Sequence, residues 1–151
     1  MVKRTREGEA ATAVVLATFR ANGMLLAAGD ELAAEEQLTA ARWQVLGAAA
    51  LAEQPLTVPQ IARRMGLTRQ SVQASVNRLL ADGLVEAADN PDHRRSPLIR
   101  LTEAGRARYA ALTRRQARWI DDLARGLDPG DLATAERVLR RLSERLDRKD
   151  A

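Results

Sequence analysis

Arg69, Gln70, Gln73, Ala74 and Asn77 fall on one side of any helix that buries Val72, Val76 and Leu79, and they are the side-chain types that read base-pair edges. An arginine fork matches guanine O6 and N7, a Gln or Asn amide matches adenine N6 and N7, and an alanine methyl packs on a thymine methyl. Thr68, Ser71 and Arg78 add hydroxyls and a cation to the same stretch, where they can bond phosphate. No acidic residue interrupts this face before Asp82, and none of the acid–base pairs at four-residue spacing that usually line a solvated helix is evident. The competing reading is an ordinary solvated face. A second cluster, His93-Arg94-Arg95, lies between Pro91 and Pro97. A paired arginine tip of this kind can enter a narrow minor groove. Arg95 is far along the chain from Gln70 and Gln73, so it is expected to serve flanking minor groove and phosphates rather than share their base pairs.

Other chemistries lack their residues. The chain has no cysteine and one histidine, His93, which excludes thiol redox sensing and starves a zinc site of ligands, leaving His93 solvated or on a phosphate. There is no Gly-x-Ser-x-Gly elbow, no second histidine for a triad, and no phosphate-loop or dinucleotide fingerprint. No catalytic residue, metal site or cofactor is therefore expected, and the chain does not read as an enzyme. Residues 1–6 are basic, but neither a signal peptide nor a membrane span is evident, so a cytoplasmic protein is expected. The net charge of +4 is unevenly spread: residues 1–59 carry −2, residues 60–115 carry +6, and residues 116–151 are neutral. All eleven cations of the middle block are arginines, although 22 arginines against two lysines is also a bias of the whole chain.

The elements that must position these side chains are mostly helical, since Ala, Leu, Arg and Glu abound and aromatics are few. A first helix is predicted from Glu9 to about Ala28, with Gly29 as its C-terminal cap. A short connection over 30–38 follows, then a helix capped by Thr39 that carries Trp43, Leu46, Ala50 and Leu51. Thr57-Val58-Pro59-Gln60 offers a capping box for a short third helix ending at Gly66, and Thr68 caps a fourth that runs to Gly83. Two short helices across a glycine turn form a helix-turn-helix. Leu84–Ala87 and Leu98–Leu101 then read as a β-hairpin whose long basic loop, 88–97, forms a wing. Thr102 caps a fifth helix, and Asp128 with Pro129 starts a sixth that places Leu132, Leu139, Leu142 and Leu146 at steps of three and four. That stripe could pack on the chain's own core or pair with another helix. Pairing suits DNA, since a dimer sets two recognition helices about 34 Å apart. Trp43 and Trp119 read as core or interface residues rather than cofactor platforms.

Leu38–Leu46, Leu56–Val72, Gly83–Val85, Asn90–Ser96 and Leu101–Gly105 together resemble, in order, the multiple antibiotic resistance regulator (MarR) family of winged-helix repressors. The likeness covers nearly the whole chain. The family often has an aspartate directly before the paired wing arginines; His93 stands there in this chain, with Asp92 one step earlier, so that brace is not carried over. The resemblance implies one domain over 1–151, mainly α, with a winged helix-turn-helix over 38–105 and a helical dimerisation region over 9–29 and 103–148. Val14 and Leu25 would join the C-terminal leucines in a homodimer interface. It further implies a palindromic operator on double-stranded DNA, and release by a small aromatic effector that Trp43 is placed to report. A winged-helix protein-interaction module without DNA binding is the alternative; such a module would carry acids or exposed apolar residues where this chain has Arg69, Gln70, Gln73 and Asn77.

Overall fold

The computed structural model describes residues 4–147. The chain divides into two compact units between Gln116 and Ala117. Its elements run α1 (Arg6–Ala34), α2 (Ala40–Ala50), β1 (Leu56–Thr57), α3 (Val58–Met65), α4 (Arg69–Ala81), β2 (Val85–Ala88), β3 (Leu98–Leu101), α5 (Glu103–Leu123) and α6 (Pro129–Asp147). The fold is mainly α, with a winged helix-turn-helix as expected; position 148 of the expected helical region lies outside the described residues.

In the first unit the core is built by α2, α3, α4 and the sheet. Leu46, Ile61, Leu79, Ile99 and Leu112 are its largest fully buried side chains, with Val45, Val72 and Val76 among them. The sheet order is β1-β3-β2, all antiparallel, with Val85 opposite Leu101 and Leu56 opposite Ile99. The expected hairpin is present and gains a third, two-residue strand. At two residues β1 is too short for alternation to show in sequence.

Helix α1 departs most from expectation. It does not stop at Gly29 but continues to Ala34, and Gln37 then takes the left-handed turn at φ 57°. Gly29 is a contact residue instead: a Cβ there would meet the Ala40 Cβ at 3.0 Å, so glycine lets α1 approach the start of α2. Asp30 Oδ1 accepts from the Ala40 backbone N–H at 2.6 Å and Thr39 Oγ1 from that of Arg42 at 3.3 Å, which satisfies two orphan donors of α2. By length and composition alone α1 is long and apolar enough to cross a membrane, a test that a core helix or a signal sequence also passes. Its C-terminal turns are tied to the core through buried Gly29 and Ala33, while Val15, Leu16, Phe19, Met24 and Leu25 are exposed and Val14 is half-buried. Leu51, expected on the apolar face of the second helix, caps α2 and is exposed.

In the second unit, Asp128 Oδ1 accepts from the backbone N–H groups of Gly130 and Asp131 at 2.8 and 3.1 Å, and Pro129 opens α6 where its missing N–H costs nothing. Helix α6 buries none of its residues; Leu132, Leu139 and Leu146 are exposed and Leu142 is half-buried.

Candidate nucleic-acid interface

Local sequence chemistry sets the helix-turn-helix. Gln60 Oε1 accepts from the Thr57 backbone N–H at 2.8 Å and from its hydroxyl at 3.0 Å, which fixes the entry to α3. Gly66 turns left-handed at φ 63°, and the Leu67 N–H returns to the Ala62 carbonyl at 2.9 Å, closing that helix. Thr68 Oγ1 then accepts from the Ser71 N–H at 3.1 Å and starts α4, so its hydroxyl is occupied as a cap. With Val72, Val76 and Leu79 buried, the helix exposes Arg69, Gln70, Ser71, Gln73, Ala74, Asn77 and Arg78.

Two side-chain pairs qualify that surface. Gln73 Nε2 donates to Asn77 Oδ1 at 2.8 Å, so the two amides stand linked. Arg78 pairs with Asp82 at 3.3 Å, four residues on, and Asp82 also takes Arg42 of α2 at 3.2 Å. The face therefore does carry an acid–base pair at its far end, contrary to the sequence reading, and Arg78 is partly committed to it. Among the described residues Arg69, Arg94 and Arg95 form no ion pair.

The wing brings the second cluster forward. Residues 89–97 leave β2 and return to β3, with His93, Arg94 and Arg95 exposed. The Ser96 N–H donates to the His93 carbonyl at 2.9 Å, which makes Arg94 and Arg95 the central pair of a four-residue turn. A hollow of about 390 Å³ is lined by Arg69, Gln70 and Gln73 of α4 together with Arg95, Ser96 and Pro97. Arg95 thus lines one hollow with Gln70 and Gln73 although the two segments lie some twenty positions apart in the chain. Separation along the chain misleads here because the hairpin folds the wing back past α4.

Trp43 is half-buried and packs against the core, and it does not line either of the two recesses that hold the helix and wing. Nor does it line a third recess, of about 580 Å³, where the chain's single tyrosine, Tyr109, meets Arg100, Arg106, Glu53 and Glu86. Tyr109 carries no motif that would have revealed it; the one trace is Gly47, where a Cβ would come within 3.3 Å of its ring. No group of three or more acidic, His or Cys side chains able to hold a metal occurs among the described residues.

A short helix pair capped in this way, a recognition face on the second helix and a basic loop beside it define a winged helix-turn-helix protein. Comparison with known proteins narrows this. A family model described as the MarR family matches residues 36–96. The uncharacterized protein Rv2011c of Mycobacterium tuberculosis (strain ATCC 25618 / H37Rv) is 44% identical over 129 residues, 85% of this chain and 89% of that protein. Transcriptional activatory protein BadR of Rhodopseudomonas palustris (strain ATCC BAA-98 / CGA009) is 28% identical over 73% of this chain and 64% of its own length. Among solved structures, the MarR family transcription regulator SP03579 superposes with a TM-score of 0.76 at 22% identity, over 95% of both chains. CouR from Rhodococcus jostii RHA1 bound to p-coumaroyl-CoA gives 0.75 at 22% identity, over 86% of this chain and 91% of its own. The PcaV transcriptional regulator from Streptomyces coelicolor in complex with its natural ligand gives 0.68 at 28% identity, over 82% and 89%. The chain belongs to the MarR family of transcription regulators, and it is a DNA-binding regulator rather than an enzyme.

Proposed function

We propose that this regulator is a cytoplasmic homodimer that binds a palindromic operator on duplex DNA, represses transcription there, and is released by a small aromatic ligand. The observation that carries the reading is the single hollow shared by Arg69, Gln70 and Gln73 of α4 and Arg95 of the wing. In this reading α4 enters the major groove and reads base edges through Arg69, Gln70, Gln73, Ala74 and Asn77. Thr68, Ser71, Arg78, His93, Arg94 and Arg95 hold the adjoining backbone and minor groove. Residues 38–105 are then the DNA-binding region, and residues 9–29 with 103–148 form the dimer. The exposed apolar residues of α1 and the exposed leucines of α6 support that assignment. The ligand reading is supported by CouR and PcaV, whose structures contain ligands, and by the recess at Tyr109, where an apolar wall and the tyrosine ring offer a surface to an aromatic body and Arg100 and Arg106 stand beside Glu53 and Glu86.

The test is fluorescence anisotropy with a duplex from the gene's own upstream region and a scrambled control. Specific binding should fall steeply with salt, by about a thousandfold or more between 50 and 200 mM if six or more phosphates are neutralised per dimer. Binding that ignores salt, or that treats both duplexes alike, would refute operator recognition. A transcription assay on the same promoter sets the sign: added protein should lower transcript, and a rise would place this chain with activators such as BadR. A panel of aromatic carboxylates should weaken operator binding for at least one member, because a releasing ligand must prefer the state that does not bind DNA.

A further inference from the structure

We infer that Asn90 is the positioning residue of the wing, an amide staple that holds Arg94 and Arg95 in the conformation that meets DNA. The inference rests on the DNA-binding role proposed above for those arginines. In a loop whose other residues from Asp89 to Pro97 are exposed or half-buried, Asn90 alone is buried, at 9% exposure. Its amide spans the loop. Nδ2 donates to the Ser96 carbonyl at 2.8 Å, and Oδ1 accepts from the Asp92 backbone N–H at 3.1 Å. One side chain thus ties both flanks of the turn His93–Ser96 whose centre is Arg94-Arg95. The residue directly before the arginines, His93, is exposed and lends the turn only its backbone carbonyl.

The chemistry asks for asparagine. Aspartate keeps the acceptor toward Asp92 but sets a carboxylate oxygen against the Ser96 carbonyl, and alanine removes both bonds. Nine residues between strands is long for a hairpin loop, and an untied loop must order its two arginines at the moment of binding, which costs affinity. The staple makes that ordering part of folding.

Two measurements test this. The first is limited trypsin digestion of the free protein, followed by mass spectrometry. Cleavage after Arg94 and Arg95 should speed up several-fold in Asn90→Asp and Asn90→Ala, with rates at other sites unchanged. The second is a double-mutant cycle on operator binding. Asn90→Asp should weaken binding about three- to thirtyfold in the native chain and have no further effect in the Arg94→Ala/Arg95→Ala chain, with the thermal midpoint checked for every variant. An equal loss in both backgrounds, no loss in the native chain, or unaltered cleavage at Arg94 and Arg95 overturns the staple while leaving DNA binding intact. If Arg94→Ala/Arg95→Ala itself leaves operator binding unaltered, both the staple and the wing's role in DNA binding are overturned.

Discussion

Replacing Gly105 by alanine sets two opposite effects against each other within the first turn of α5. Helix propensity favours the change by about 1 kcal/mol, since alanine is the better helix former. Packing opposes it. A Cβ on residue 105 would lie 1.9 Å from the Leu84 carbonyl oxygen and 2.9 Å from its carbon. Leu84 cannot yield: it is buried, and its N–H is bonded to the Leu79 carbonyl at 2.9 Å. The start of α5 would have to retreat by about 1 Å or more, which strains the bonds from the Thr102 N–H to the Leu84 carbonyl (3.1 Å) and from the Thr102 hydroxyl to the Gly83 carbonyl (2.7 Å). Overpacking of this kind costs about 1–3 kcal/mol, and the two weakened hydrogen bonds add about 1 kcal/mol each. After the propensity gain the net is a loss of about 3 kcal/mol, or roughly 10 °C in thermal midpoint for a chain of this length. Gly23, in the interior of α1, has nothing within 4 Å of its Cβ position in its own chain, so Gly23→Ala should stabilise a lone protomer by about 0.5–1 kcal/mol, whereas a partner packed on α1 as proposed above would reverse the sign. Circular-dichroism melting of both variants at equal protein concentration measures this. A midpoint for Gly105→Ala equal to or above that of the native chain refutes the steric reasoning, and destabilisation by Gly23→Ala would mean that another chain packs against α1.

Arg95→Ala should weaken binding to all duplexes and flatten the logarithmic salt slope by about one unit per subunit, as one phosphate partner is lost. Gln73→Ala alone should cost about 1–3 kcal/mol on the operator and little on scrambled DNA, and an equal loss on both would remove it from base readout. Leu142→Asp on α6 should cost several kcal/mol of dimer stability, so a variant that remains dimeric by light scattering at micromolar concentration, with unaltered melting, would place the interface elsewhere.

The parts of the fold legible in sequence are those whose cause lies within a few residues. Thr39, Thr57 with Gln60, Thr68 and Asp128 each act on N–H groups two or three positions away, and Gly66 ends α3 by its own backbone freedom. The recognition face followed, because burial of Val72, Val76 and Leu79 fixes which side of α4 looks outward. What was not legible depends on contacts between distant segments. Gly29 carries the sequence signature of a helix end, yet its role is set by Ala40 on the next helix. Asp82 bonds Arg42 across forty positions. Asn90 reads as ordinary turn chemistry until the loop closes and Ser96 arrives at its amide. The nearness of Arg95 to Gln73 is of the same kind, a product of how the hairpin folds over α4.

These distant contacts converge on three consecutive residues at the end of the recognition helix. Asp82 takes Arg42 of α2, the Gly83 carbonyl takes the Thr102 hydroxyl, and the Leu84 carbonyl takes the Thr102 N–H with Gly105 pressed against it. The C-terminal end of α4 is thus fixed to both α2 and the start of α5. Its first two turns, with Arg69, Gln70 and Gln73, project from that anchor. A displacement of the first turn of α5 by about 1 Å must either carry the end of α4 with it or give up two hydrogen bonds worth about 1 kcal/mol each. The second course costs about 2 kcal/mol, which lies within the 1–3 kcal/mol typical of coupling between regulatory and binding sites. Dragging α4 must in turn shift Val72, Val76 and Leu79, which are buried along its length, so both responses are resisted and the start of α5 is mechanically tied to the reading helix. The glycine at 105 is what makes the joint this tight, since any Cβ there would meet the Leu84 carbonyl oxygen and force the start of α5 away from the end of α4.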